Sequence, residues 1–113
     1  MKEIRAYIQP FMLPKLTQAL LEIPNFPGIS VSDCEGFGHE RYLDKQDYTP
    51  YVPKKRIEIF VPDELVNVIF STIMAVTNTH QRGAGMVYVI NVDRSGRIST
   101  GEEEQDSPNK ISS

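Results

Sequence analysis

The chain is poor in the residues that build covalent or metal-based frameworks. It has one cysteine, Cys34, among 113 residues, and no tryptophan. A lone cysteine excludes an internal disulfide and any zinc site built from cysteines. No apolar run approaches the roughly 20 residues that cross a bilayer, and the N-terminal segment lacks the apolar stretch of a signal peptide. We therefore predict a soluble, cytoplasmic protein with one folded domain over residues 1–101.

Excess positive charge is also missing. Twelve Lys and Arg residues stand against 15 Asp and Glu residues, which gives a net charge of −3. A nucleic-acid-binding surface needs an excess of positive charge on one face, so the composition argues against a nucleic-acid partner. The acids concentrate after residue 101, with Glu102, Glu103, Glu104 and Asp106. This composition predicts an acidic, mobile tail over residues 102–113.

Hydropathy patterns divide the folded region into six elements. Period-two alternation predicts strands over residues 2–9, 29–35, 54–61 and 86–92. Apolar residues at helical spacing predict one helix after Pro10, carrying Leu13, Leu16, Leu20 and Ile23, and a second that opens at Pro62. The order predicts an α+β, ferredoxin-like βαββαβ fold, an antiparallel four-stranded sheet with two helices on one face.

The sheet face without helices is predicted to carry three aromatic residues. Alternation places Tyr7, Phe60 and Tyr88 on this face. Monomeric proteins rarely expose so large an apolar patch to water. We therefore predict an oligomer that assembles through the sheet.

Five segments follow one another in an order that is typical of a known family. They are MKEIRAYIQPFML, GISVSDCEGFG, PKKRIEIFV, THQRGAGMVYV and RISTGE. Together they resemble the P-II nitrogen-regulatory signalling family and identify the chain as a divergent P-II-like member. The resemblance implies a ferredoxin-like homotrimer that binds an adenine nucleotide (ATP, ADP or AMP) in the clefts between subunits. It also implies control of a partner protein, such as a transporter or an enzyme, through a long T-loop, here residues 39–53.

The resemblance further implies which residues bind the nucleotide. Residues 36–38 match the base of the T-loop, residues 79–85 match the phosphate-binding B-loop, and residues 97–101 match a C-terminal loop supplied by the neighbouring subunit. Glycines let backbone N–H groups approach phosphate oxygens, and arginines supply forked donors. Lys54, in the run Lys54-Lys55-Arg56, matches a lysine at the T-loop base. The predicted nucleotide-binding residues are Ser30, Gly36, Phe37, Gly38, Thr79, Arg82, Gly83, Ala84, Gly85, Met86 and Arg97.

The chain departs from the family pattern at charged positions. Ala84 and Met86 replace the Asp and the phosphate-contacting Lys of the B-loop, and Ser99 replaces one of two arginines in the C-terminal loop. Each lost cation costs about 1–3 kcal/mol of binding free energy where its contact is desolvated. This predicts weaker ATP binding and favours ADP or AMP. His39-Glu40 stands where Arg-Gln is common, and the motif around the uridylylated tyrosine is absent, which argues against 2-oxoglutarate sensing and uridylylation.

The loop tyrosines have two interpretations. Tyr42, Tyr48 and Tyr51 either contact the partner protein, since tyrosine combines a large contact area with a polar tip, or pack the loop against its own trimer. We find no Ser-His-Asp or Cys-His constellation in the sequence that would indicate an enzyme. We therefore predict regulation by binding.

Two other hypotheses stay open. His39, Glu40 and His80 bracket the inferred cleft and suit zinc, copper or nickel if they converge, as in a metal-handling trimer resembling divalent-cation tolerance proteins. The alternative for these residues is that both histidines are solvated in loops. The third hypothesis is a structural trimer whose sites have decayed, which predicts no saturable nucleotide binding.

Overall fold

The computed structural model describes residues 1–36, 51–80 and 83–104, and the structural statements below concern these residues. Six strands are present among them: β1 (Lys2–Ile8), β2 (Ser30–Gly36), β3 (Val52–Val61), β4 (Gly85–Asn91), β5 (Ser95–Arg97) and β6 (Glu102–Glu104). The helices are α1 (Leu13–Leu21) and α2 (Val66–Thr77). A short 3-10 turn precedes each helix, Pro10–Met12 before α1 and Asp63–Leu65 before α2.

The first four strands form one antiparallel sheet in the order β2-β3-β1-β4. In its centre Ile4 of β1 lies opposite Ile59 of β3 on one side and Val89 of β4 on the other. Strands β5 and β6 pair only with each other, as a separate hairpin. The predicted ferredoxin-like βαββαβ arrangement is confirmed.

The hydrophobic core lies between the sheet and both helices. Alternate residues of β1 and β3 point to the same face, where they meet one apolar stripe from each helix. Ten of these side chains are 0–1% exposed. They are Ile4, Ala6, Ile8, Leu16, Leu20, Ile57, Ile59, Val61, Ile69 and Ile73. Both helices therefore cover one face of the sheet, as predicted.

The helix ends differ from the expected ones for local reasons. Ile23 lies beyond α1, which ends at Leu21, although Ile23 still packs against the core. The acids after Pro62 occupy the 3-10 turn, and α2 begins only at Val66. Neither helix within the described ranges combines the length and apolarity needed to cross a bilayer.

The other face of the sheet carries no helix. Phe60, Met86 and Tyr88 are 51%, 56% and 45% exposed, and the Tyr7 and Tyr88 rings meet edge to face at 6.3 Å between centroids. The three aromatic residues therefore lie on the exposed face to which alternation assigned them. We call this surface, with Tyr7, Phe60, Met86 and Tyr88, the open face.

An ion pair sits within the open face. Glu3 is only 6% exposed, and its two carboxylate oxygens accept hydrogen bonds from Nε and Nη2 of Arg5 at 2.8 and 2.9 Å. This hydrogen bonding raises the pKa of Arg5 above its ordinary value. The pair neutralises its own charge, and a second pair on the same face, Arg56 Nη2 to Glu58 Oε2 at 3.0 Å, does the same, so the charges at the centre of the open face compensate one another.

The predicted boundary between domain and tail also differs. The tail was expected from residue 102, but Glu102–Glu104 form β6, which pairs antiparallel with Ser95–Arg97. The physical reason is local charge pairing, because Glu103 accepts from Arg94 and Glu104 accepts from Arg97. Residues 105–113 lie outside the described residues, so the rest of the tail stays a prediction.

Asp63 joins the start of β1 to the 3-10 turn that precedes α2. Its Oδ1 accepts hydrogen bonds from the Met1 ammonium group and from Lys2 Nζ, each at 3.2 Å. The hydrogen bond from Lys2, followed by that from the ammonium group, lowers the pKa of Asp63 below its ordinary value of 3.8. Lys2 pairs with Val61, so the antiparallel register of β1 and β3 brings these two cations next to Asp63.

We expect Asp63→Asn to lower the urea midpoint of unfolding at pH 7. A carboxylate whose pKa is lowered in the folded state contributes its stability above the ordinary pKa and loses it as pH falls through the folded value. The difference between Asp63→Asn and the unchanged chain should therefore shrink as pH falls below about 4. Glu64→Gln is the matched control, since it removes one charge from the same turn. Equal midpoints for Asp63→Asn and the unchanged chain at pH 7 would contradict this expectation.

Candidate functional site

One end of the sheet gathers the predicted loops. Strands β1 and β2 end there, and β3 and β4 begin there, with Ile8 opposite both Lys55 and Gly85. We call it the loop end. The T-loop leaves from Gly36 and returns to Val52 at this end, and the B-loop leads into Gly85. The topology thus brings the bases of the two predicted functional loops to one edge of the domain.

A single lysine joins these two bases. A Cβ on Gly36 would lie 3.6 Å from Lys54 Cγ, so the lysine stem passes beside the glycine. Lys54 Nζ then donates a hydrogen bond of 2.6 Å to the carbonyl of Gly83. The side chain is half-buried, and its charge lies where both loops start. It satisfies a B-loop carbonyl and places a cation at the site.

The B-loop requires unusual backbone conformations. His80 has φ 59°, and its N–H donates to Asn78 Oδ1 at 2.8 Å, an Asx turn that tolerates left-handed geometry. Gly83 has φ 81° and Gly85 φ 129°. A Cβ on Gly85 would lie 2.0 Å from the Tyr7 carbonyl oxygen. Gly85 is therefore required by the close approach of β4 to β1, apart from any ligand.

Two buried polar atoms lie near the loop end. Thr79 Oγ1, at the start of the B-loop, and Gln9 Oε1, just after β1, have no hydrogen-bond partner within the described part of the chain. Buried polar atoms are usually paired, so each such atom needs an explanation. At this position a ligand or an ordered water would supply the partner.

Other predicted nucleotide-binding residues lie apart from one another. Ser30 begins β2 at one edge of the sheet, whereas Met86 belongs to β4 at the opposite edge. Two strands separate them, which is about 14 Å at the usual strand spacing of about 4.8 Å. Met86 itself lies on the open face, beside Tyr88. One copy of the chain therefore does not bring these two residues together.

The β5–β6 hairpin presents two arginines on opposite faces. Gly96 lies opposite Glu103, and Ser95 lies opposite Glu104. Since side chains alternate along a strand, Glu103 and Glu104 point to different faces. Arg94 binds Glu103 with Nε and Nη2, each at 3.0 Å, which raises the pKa of Arg94 above its ordinary value.

The second arginine of the hairpin, Arg97, lies on the other face. Arg97 Nη2 donates to Glu104 Oε1, and the Arg97 side chain is 61% exposed. Ile98, at the turn, is fully exposed. Arg94 lies on the face away from Arg97, and its side chain is 80% exposed. The hairpin therefore presents one exposed arginine on each face, with the exposed Ile98 following Arg97.

Part of the predicted site falls outside the described residues. This holds for Phe37, Gly38, His39, Glu40, Tyr42, Tyr48 and Arg82. Tyr51, the first described residue of the loop, is 55% exposed. His80 is exposed, and residues 1–36, 51–80 and 83–104 contain no group of three metal-ligating side chains. The metal hypothesis at His39, Glu40 and His80 stays a prediction.

Two contacts were not expected at the site. Lys54 was expected at the base of the T-loop but not as a donor to Gly83, and Glu104 was assigned to the tail. The sequence did contain a signal for the second, because Thr100-Gly101 separates two short segments in the way a hairpin turn does. The bond from Lys54 to Gly83 joins residues 29 positions apart, and no local pattern reports such a contact.

Comparison with known proteins gives a consistent result. The sequence profile described as "Nitrogen regulatory protein P-II" matches residues 1–102. The chain is 37% identical over 109 residues to "Nitrogen regulatory protein P-II 1" of Escherichia coli K12, covering 92% of this chain and 96% of the relative. It is 34% identical over 111 residues to "Nitrogen regulatory protein P-II" of Haemophilus influenzae, covering 94% and 98%. A protein of the same description from Rhodobacter capsulatus is 32% identical over 111 residues.

Proposed function

The chain belongs to the nitrogen regulatory protein P-II family, and from this premise we propose that it is a signal-transduction regulator that binds an adenine nucleotide between the subunits of a homotrimer. In this proposal the bound nucleotide controls a partner protein, a transporter or an enzyme, through the loop over residues 39–53. The protein acts in the cytoplasm and works by binding, without a catalytic step.

The observation that carries the proposal is the division of the predicted site. The bases of both loops meet at Lys54, while Ser30, Met86 and Arg97 lie on two sheet edges and a separate hairpin. A second copy of the chain, by supplying its β5–β6 hairpin, would add Arg97 to the residues at the loop end. The exposed open face gives a reason for copies to associate, since burial of its aromatic side chains is favourable.

The residues at the loop end suit a nucleotide with few phosphates. Gly83 and Gly85 have positive φ, a backbone conformation found in anion-binding loops, and Lys54 supplies one ammonium group. From a neighbouring hairpin, Arg97 would add a forked donor. Met86 and Ser99 add no charge, so ADP or AMP is favoured over ATP. The Thr79 hydroxyl, which has no hydrogen-bond partner among residues 1–36, 51–80 and 83–104, would be a further donor to the ligand.

The switch is proposed to run through Lys54. Its bond to Gly83 links the end of the T-loop to the B-loop, so a ligand that displaces or strengthens this bond changes both. A ligand shifts the loop only by the difference in its affinity for the two loop states. Tyr42, Tyr48 and Tyr51 are the proposed contacts with the partner.

We expect calorimetric titration to detect binding of AMP, ADP or ATP in the low micromolar range. Arg97→Ala should weaken that binding about 10- to 100-fold, because a charge-assisted hydrogen bond to phosphate is lost. Arg94→Ala is the matched control: it removes the same group from the other face of the same hairpin and should change affinity less than about threefold.

A contrary result has a definite meaning. No heat with any of the three nucleotides, with or without magnesium, up to about a millimolar would remove the nucleotide proposal. The next titration would then use Zn²⁺, Cu²⁺ and Ni²⁺, with a variant in which His39 and His80 are both replaced by Ala as the control. Equal losses from Arg94→Ala and Arg97→Ala would instead indicate a general effect of charge.

A further inference from the structure

The face of the hairpin that carries Arg97 also carries acids. Ser95, Arg97, Glu102 and Glu104 share this face by the register of β5 and β6. One arginine and two carboxylates give this face a net charge of −1. Arg97, the proposed phosphate-binding arginine, therefore shares its face with two carboxylates of its own chain, whose combined charge exceeds its own.

Glu104 engages Arg97 directly. Its carboxylate accepts a hydrogen bond from Arg97 Nη2, and its side chain is 28% exposed against 61% for Arg97. The carboxylate is thus the more enclosed partner, held by strand pairing and by the guanidinium group. A phosphate oxygen that approaches Arg97 meets a guanidinium that already donates to an anion, with that anion nearby.

We infer that Glu104 competes with the ligand's phosphate groups for Arg97 and thereby selects nucleotides with few phosphates. This inference rests on the proposed function, since it concerns the same ligand. Repulsion between the fixed carboxylate and the ligand grows with each added phosphate, because each adds negative charge within a few ångströms. AMP is penalised least, ADP more and ATP most. The missing cations at Met86 and Ser99 leave little to offset this repulsion.

The test is a titration of the full chain and its variants with AMP, ADP and ATP at one ionic strength. Glu104→Gln keeps the shape of the side chain and removes its charge. We expect it to strengthen ATP binding about tenfold, ADP binding about fivefold and AMP binding less than about twofold. Glu104→Ala should give the same order, which shows that the new amide is not the cause.

Glu103→Gln is the matched control. It removes an equal charge from the next residue, but Glu103 binds Arg94 on the opposite face. Its affinities should stay within about twofold of the unchanged chain for all three nucleotides. Circular dichroism and the unfolding midpoint of each variant establish that the domain is folded under the titration conditions.

The outcomes separate the two proposals. Binding by the unchanged chain with unchanged affinities in Glu104→Gln and Glu104→Ala overturns the role of Glu104 and leaves the proposed function standing. An equal gain in Glu103→Gln overturns it as well, since the effect would be one of net charge. No binding by the unchanged chain or any variant overturns the proposed function itself. A gain in Glu104→Gln that rises from AMP to ATP supports the inference.

Discussion

Gly85→Ala should destabilise the protein by at least about 3 kcal/mol or prevent folding. The added Cβ would lie 2.0 Å from the Tyr7 carbonyl oxygen, and φ 129° is a conformation that an L side chain rarely adopts. Backbone strain of this kind costs about 1–3 kcal/mol, and the overlap forces β4 away from β1 and adds to that cost. Urea denaturation followed by circular dichroism measures the loss.

Gly28→Ala separates the two causes. Gly28 has nearly the same backbone angle, φ 125°, but a Cβ there would meet no atom within 4 Å. It should therefore show only the strain, about 1–3 kcal/mol. Equal losses of stability in Gly28→Ala and Gly85→Ala would mean that β4 moves away from Tyr7 at no cost. The close approach of Gly85 to Tyr7 would then not contribute to stability.

Tyr88→Asp should convert the proposed trimer to monomers. Tyr88 is 45% exposed on the open face, where a charge would be desolvated if a second copy covered it. The single chain should tolerate the change, because the side chain at position 88 is nearly half exposed to water when no second copy covers it. Sedimentation analysis should report three times the 12.8 kDa chain mass before the change and one chain mass after it.

Met74→Asp is the control for this experiment. Met74 is 52% exposed, similar to Tyr88, but it lies on α2, on the other side of the sheet. Its change should leave the mass at three chains. A trimer that survives Tyr88→Asp, or one that Met74→Asp also dissociates, would contradict assembly through the open face.

The sequence was sufficient where one local rule decides the structure. Alternation in β1 and β3 separates Ile4 and Ile59, which face the helices, from Tyr7 and Phe60, which face outward, because one face of the sheet is buried and the other is not. The ferredoxin-like arrangement came instead from the order of the elements, two strand–helix–strand halves. The strands and helices themselves were predictable because their patterns depend on residues two to four positions apart.

The features that escaped the sequence depend on distant residues or on paired charges. Lys54 binds Gly83 across the loop end, and Asp63 binds Lys2 across 61 positions. Neither contact produces a periodic pattern in the sequence, because the partners are far apart along the chain. Glu104 belonged to an acidic run typical of a solvated tail, but it pairs with Ser95 in the hairpin and accepts a hydrogen bond from Arg97. Charge composition alone does not reveal which acid has a partner.

The strand order also has a kinetic consequence. Strand β1 precedes the other strands in the chain, yet its two neighbours are β3 and β4, so it can complete its pairing with β3 only after Val61 has been made and with β4 only after Asn91. Contacts between residues so far apart in the chain slow folding, because the chain must lose loop entropy before it gains the contact. During translation, the apolar side chains of Ile4, Ala6 and Ile8 are exposed before β3 has been made. The charged residues Glu3 and Arg5 alternate with them, and such charges disfavour pairing of an exposed strand with other chains.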